Sequence, residues 1–157
     1  MAKAWEVIGV GPDVPLGRCA RLILETRFHE MMSYREGTLL GADIEQLHSM
    51  RVSSRRLRSA MRNFRDCFEQ EGMRYHSERM REIAGTLGAV RDLDVRIDWY
   101  EALLSDAPAA ERPGVRHLIR SARRDRKIAR VPLVALLGRI EAEDYSGRFL
   151  AFVWQEH

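Results

Sequence analysis

Residues 48–65 read HSMRVSSRRLRSAMRNFR, and two interleaved periodicities in this stretch decide the fold class. Leu47, Met50, Ser54, Leu57, Met61, Phe64 and Phe68 recur at steps of three and four, the spacing of one helix face packing on other helices. His48, Arg51, Arg55, Arg58, Arg62 and Arg65 recur at the same steps on a second face, about 110° round the helix from the first. No acid stands between Glu45 and Asp66. A solvated helix face ordinarily mixes signs and pairs residues four apart. This face repels itself unless an anion lies near it, either an acidic helix of the same chain or a ligand.

The helical period extends in both directions. Upstream, Asp13 is a plausible N-cap with Pro15 in the first turn, and Leu16, Ala20, Ile23, Leu24, Phe28, Met31 and Met32 carry a first helix to about Leu40, ended by Gly41. Asp43 caps the second helix, Gln46 takes the capping-box position, and Gly72 closes the segment. A third helix is expected over residues 74–104, on a seam of Met80, Ile83, Leu87, Val90, Asp94 and Ile97. After a loop at residues 105–113, a fourth begins near Val115 and kinks or breaks at Pro132. A last amphipathic piece covers residues 146–154. Together these predict an all-α protein: an antiparallel four-helix bundle of long helices with a short additional C-terminal helix. A single domain spans residues 13–157 behind a lead-in at residues 1–12.

The fourth helix carries a second basic set: Arg112, Arg116, Arg120, Arg123, Lys127 and Arg130, with Arg124 and Arg126 beside it and Asp125 the one acid in the run. In an up-and-down bundle helices two and four are diagonal, so the two stripes need not share a groove. Asp94 occupies a seam position, where a buried carboxylate needs a partner. Arg56, on the opposite flank of the second helix from the stripe, is the first candidate for a structural ion pair with Asp94.

Composition sets the bounds. At 157 residues and 45% hydrophobic, the chain suits one folded domain with one core. Net charge is +3, and of 26 basic residues only Lys3 and Lys127 are lysine. Arginine offers a rigid fork of donors that matches phosphate oxygens. A high-GC genome also produces such a ratio, so clustering carries the argument. Cys19 and Cys67 stand alone in helical patterns and read as reduced core residues. No apolar run approaches the roughly 18 residues a membrane span needs, so a cytoplasmic protein is expected. His29, His48, His76 and His117 show no metal-ligand spacing on one helix face. With no Gly-rich phosphate loop or paired catalytic carboxylates either, no metal, cofactor or catalytic activity is expected.

Two motifs make the chain recognisable. His48-Ser-Met-Arg51-Val-Ser-Ser-Arg55-Arg56-Leu57-Arg58 is followed about thirty residues later by Leu87-Gly88-Ala-Val-Arg91-Asp92-Leu93-Asp94-Val95. The pair resembles the CHAD family, the conserved histidine α-helical domain, over about residues 13–150. The resemblance implies a helical bundle that binds inorganic polyphosphate, in members associated with polyphosphate granules or fused to triphosphatase-type domains. It carries a binding role onto His48, Arg51, Arg55 and either Arg58 or Arg56. Family domains usually have two pseudo-symmetric halves, each with its own His/Arg helix, and this chain resembles only the N-terminal half. Its channel is then absent, replaced by a flatter surface, or completed by a homodimer.

The expected function is therefore non-catalytic polyphosphate binding in the cytoplasm. The expected site is His48, Arg51, Arg55, Arg58 and Arg62 on one helix, with Arg116, Arg120, Arg123, Arg124 and Lys127 on another. Histidine gains charge as pH falls, so tighter binding near pH 6 is expected. Nucleic acid is the first rival from the same electrostatics, a metal-binding or catalytic histidine protein the second, and a protein-interaction module the third. Few aromatics interleave the stripe for base stacking, which disfavours nucleic acid.

Overall fold

The computed structural model describes residues 3–155. Its elements in chain order are α1 (Leu16–Met32), α2 (Arg35–Leu40), α3 (Ile44–Asn63), a 3-10 turn (Arg65–Cys67), α4 (Gln70–Asp106), α5 (Arg112–Ala142) and α6 (Tyr145–Trp154). The expected all-helical bundle is present. α1 packs on α3, α3 on α4 and α4 on α5, while α6 closes the bundle against α1 and α5.

The seams read from periodicity are buried for the most part, with Leu16 at the start of α1 exposed and Ile23, Met32 and Phe64 half-buried. Leu24, Phe28 and Met31 of α1 meet Leu47, Met50, Leu57 and Met61 of α3 in one core. Met80, Ile83, Leu87 and Val90 of α4, Leu133, Leu136, Leu137 and Ile140 of α5, and Tyr145, Phe149 and Val153 of α6 complete it. Toward the α4–α5 turn the apolar contacts separate from this core. Tyr100, Leu104, Ala107, Val115 and Ile119 form a second, smaller cluster.

Helix ends depart from expectation where local hydrogen bonds decide them. The first helix starts at Leu16 with Pro15, not Asp13, at its N-cap. It does not run to Leu40: Ser33 Oγ donates to the Glu30 carbonyl at 2.7 Å and Tyr34 N–H to the Met31 carbonyl at 3.3 Å. That tightened turn separates α1 from α2. Gly41 ends α2 as expected, at φ +70°. Arg130 of α5 donates there to the Thr38 and Leu39 carbonyls at 3.2 and 2.9 Å. A Cβ on Gly41 would lie 2.8 Å from this guanidinium, so both backbone and space require glycine.

Asp43 caps α3, accepting from Glu45 N–H at 2.9 Å, while the Gln46 side chain turns toward Gly37. α3 stops at Asn63, nine residues before Gly72. Phe68 is extended at φ −131°, and the Glu69 carboxylate then caps α4 by accepting from Glu71 N–H at 2.7 Å and Gly72 N–H at 2.5 Å. Gly72 is thus no terminator; it sits in the first turn of α4, against the Phe152 ring. The fourth helix runs unbroken through Pro132. Pro132, Ile128 and Val131 are all exposed there, so the Ile128 carbonyl that loses its partner can face water.

Candidate anion-binding groove

α3 and α4 run antiparallel along one face of the bundle, and the arginine stripe lines the groove between them. Arg55, Arg58 and Arg62 of α3 and Arg65 of the following turn surround a cleft of about 470 Å³, with Ser77 and Arg81 on the α4 wall. Its lining includes five arginines, no carboxylate and no aromatic side chain. Arg55, Arg58, Arg62, Arg65 and Arg81 are all exposed. Arg65 has a neighbouring acid, Asp66 at 3.4 Å, itself largely in water. Five guanidinium groups converging on one concavity without an acid hold a strong positive potential, and low-dielectric walls sharpen it.

Further along, Arg51 approaches Gly88, its Nε lying 3.7 Å from where a Cβ would stand on that glycine. His48 follows, close enough to Arg91 of α4 for that charge to act on its imidazole. Burial lowers the His48 pKa first, then the Arg91 charge; Glu45 opposes them and Arg51 adds to them. This imidazole is neutral at pH 7, and its Nδ1 is buried without a hydrogen-bond partner. Near pH 6 it carries less charge than an ordinary imidazole would.

Two α4 residues of the groove, Arg81 and Arg91, carried no site role in the sequence reading. A signal existed: Arg74, Ser77, Arg81, Gly88 and Arg91 recur at steps of three, four and seven on one side of α4. It is masked in one dimension by Glu78, Glu82 and Asp92.

The helix-five set does not join this groove. Arg116, Arg120 and Arg123 open onto a different cleft with Glu101, between α4 and α5, and Arg123 pairs with Glu101 at 2.6 Å. Lys127 lines another cleft with Asp94, Asp98 and Glu101. Arg124 is exposed and borders neither of these clefts. Arg112 donates to the Ala107 carbonyl at 3.0 Å, and Arg130 caps α2. Much of this stripe is therefore spent on the α4–α5 contact and on helix ends.

The expected Arg56–Asp94 pair does not form. Asp94 is buried as expected, but Arg126 of α5 pairs with it. Arg56 donates to Glu30 of α1 at 2.6 Å, and Arg27 donates to the same fully buried carboxylate at 2.5 Å. The physical reason is packing order: Asp94 lies on the side of α4 that faces α5, and Arg56 on the side of α3 that faces α1.

A family model described as CHAD domain matches residues 22–153. No curated protein matches the chain.

Proposed function

Because the chain belongs to the CHAD domain family, a family associated with polyphosphate binding, we propose that its α3–α4 groove binds inorganic polyphosphate without chemical change. One observation carries this reading: five arginines around one cleft with no carboxylate in its lining. Polyphosphate is a flexible chain with about one charge per phosphate, and successive guanidinium forks bind its oxygens through charge-assisted hydrogen bonds. His48, Arg51, Arg55, Arg58, Arg62 and Arg81 are the contact residues. The basic residues of α5, Arg116, Arg120, Arg124 and Lys127 among them, act at longer range by raising the local potential. The proposed role is capture of the polymer, in the cytoplasm and on polyphosphate granules.

Titration with long-chain polyphosphate at several salt concentrations tests the proposal. Log affinity should fall linearly with log salt, because bound phosphates release counterions. Arg58→Gln and Arg81→Gln should each weaken binding roughly tenfold, about 1.4 kcal/mol, as expected for one charge-assisted contact. No binding at low salt, or full affinity in both variants, would overturn it. Competition with duplex DNA and single-stranded RNA at equal phosphate concentration separates the nucleic-acid reading, which the absence of an aromatic stacking surface in the cleft disfavours.

The groove opens to solvent along its exposed arginines, so a second copy facing it would close a channel. Two like-charged grooves repel, and such a homodimer should form only around the anion. Light scattering with and without polyphosphate checks this, and a mass unchanged by ligand would sink the dimer.

A further inference from the structure

α5 carries two seams, and the bundle covers one of them. Val115, Ile119, Ala122, Leu133, Leu136, Leu137 and Ile140 face the core. Directly opposite, Arg124, Ile128, Val131, Ala135, Gly138 and Ala142 recur at steps of four and three. All six are exposed, Ile128 at 69% and Val131 at 68%. Val134 flanks this outer line and is exposed too. So is Leu40 of α2, next to the Leu39 carbonyl that Arg130 of α5 bonds. Over residues 128–138 the one charged residue is Arg130, and it turns to the Thr38 and Leu39 carbonyls. Three turns of α5 are thus apolar on every side. A helix of that kind is ordinarily packed on both faces, and a contiguous exposed apolar patch marks an interaction surface.

The charges at its two ends say what covers it. Arg120, Arg124 and Lys127 precede the apolar turns, and Glu141, Glu143 and Asp144 follow them, all exposed. Arg124 makes no ion pair among the described residues. The acids each have one contact within the chain: Glu141 with Arg35, Glu143 with Arg79 at 2.6 Å, and Asp144 with the Gly147 N–H at 3.3 Å. Their remaining surface is in water. Arg139, the base beside them, turns to Glu82 of α4 at 3.2 Å. The apolar turns centre on residue 133, nine residues after Arg124 and eight before Glu141. A two-fold axis through that centre, perpendicular to the helix, sets α5 of one copy antiparallel to α5 of another. It lays the apolar turns on each other and Arg124 of each copy on the acids of the other. The face is therefore self-complementary, as an isologous interface requires. A parallel pair would set Arg124 on Arg124. Ala135 and Gly138 lack the bulk to hold two helices beyond the packed distance of about 8–10 Å.

We propose that α5 is a self-association surface. Two copies pair antiparallel through Ile128, Val131, Val134, Ala135 and Gly138, with Arg124 of each against the Glu141–Asp144 end of the other. No residue of α5 lines the arginine groove, so both grooves stay open in this dimer and it needs no anion. The contact is about 30 Å long and one helix, about 10 Å, wide. That is smaller than the roughly 800 Å² per partner of a standard interface, so the dimer should be weak and form in the micromolar range.

Sedimentation equilibrium of the intact protein without polyphosphate, over a concentration series up to about 1 mM, tests the proposal. A monomer–dimer equilibrium is expected. Val131→Glu places two like charges at the centre and should weaken the dimer at least about tenfold, with an unchanged helical circular dichroism spectrum because Val131 is exposed. Ile128→Glu repeats the test at a second position. Arg124→Ser should weaken pairing by about threefold or more, the scale of exposed ion pairs. A monomer at every concentration overturns a second copy as the occupant of this face. A dimer undiminished by both glutamate variants places self-association elsewhere and overturns it equally. A dimer as tight or tighter in Arg124→Ser overturns the antiparallel arrangement.

Discussion

Glu30 was not singled out in the sequence, yet it holds two arginines from a fully buried position. Its replacement in Glu30→Ala would leave Arg27 and Arg56 without this carboxylate and open a space in the core. Chemical denaturation should show a loss of about 3 kcal/mol, the scale of breaking a buried pair from one side. His76 is a second buried polar residue, sharing a 2.8 Å hydrogen bond with Tyr145 Oη among Phe149 and Phe152. Burial lowers its pKa from 6.5 to about 4. The folded state therefore binds fewer protons than the unfolded chain between these values. The resulting stability, on the order of 3 kcal/mol, is fully present above pH 6.5 and drains away as pH falls toward 4. Denaturant midpoints across this range should fall in the native protein and fall less in His76→Gln. His48 works in the opposite sense for binding. Its pKa is lowered in the free protein, and a bound polyanion must raise it. Affinity should climb as pH drops through the pKa of the complex and level off below that of the free protein. A titration in which His48→Gln shows the same climb would remove His48 from the site. Charge at these residues was legible in the sequence, but the partner was not. Arg56 and Asp94 both needed a counter-charge, and only the order in which helices pack assigned Glu30 to one and Arg126 to the other.

The existence of the helices followed from their seams, since an apolar stripe at steps of three and four has one cheap solution. Their ends did not, because each end is set by a few local bonds. Ser33 turning back to Glu30 splits the first helix, and Glu69 capping α4 converts the expected terminator Gly72 into a first-turn residue. The α3 stripe was readable for the opposite reason to the α4 wall. α3 has no acids to cancel its arginines over residues 46–65. On α4, Glu82 stands next to Arg81 in sequence but bonds Arg79 and Arg139 instead, at 3.1 and 3.2 Å. Arg81 is thereby left for the groove, a sorting that only the folded helix performs. Pro132 offers a test at this scale. It interrupts the hydrogen-bond ladder of α5 on an exposed face without breaking the helix. Pro132→Ala should restore the bond to the Ile128 carbonyl and raise stability by about 1–3 kcal/mol. A thermal midpoint no higher than that of the native protein would show that α5 gains nothing from continuity there.

Across the molecule, stability is unevenly spread. The main core gathers residues from all four long helices and α6, whereas the α4–α5 turn rests on its own small cluster. Fewer buried contacts mean a smaller free energy of opening. Amides in residues 97–122 should exchange with solvent through local opening, well before those of Leu87 or Leu137. Equal protection of both regions would show that the bundle opens only as a whole. The groove lies on the well-packed part, lined by the core residues Met61 and Met73, so opening of the turn should leave its arginines in place. Among the described residues no helix is long and apolar enough to cross a membrane. The flanks of the chain meet on α1. Arg27 donates to the Trp5 carbonyl at 2.9 Å and Arg21 to the Gln155 carbonyl at 3.0 Å. These two anchors stand about 9 Å apart along the helix axis, at 1.5 Å per residue. A short linker would bridge them, and the chain could be reopened between Ala109 and Ala110 in the α4–α5 turn. Such a circular permutant begins with α5 and ends with α4, yet it should keep the same bundle and bind the same anion, because no part of the groove depends on the order in which its helices are joined.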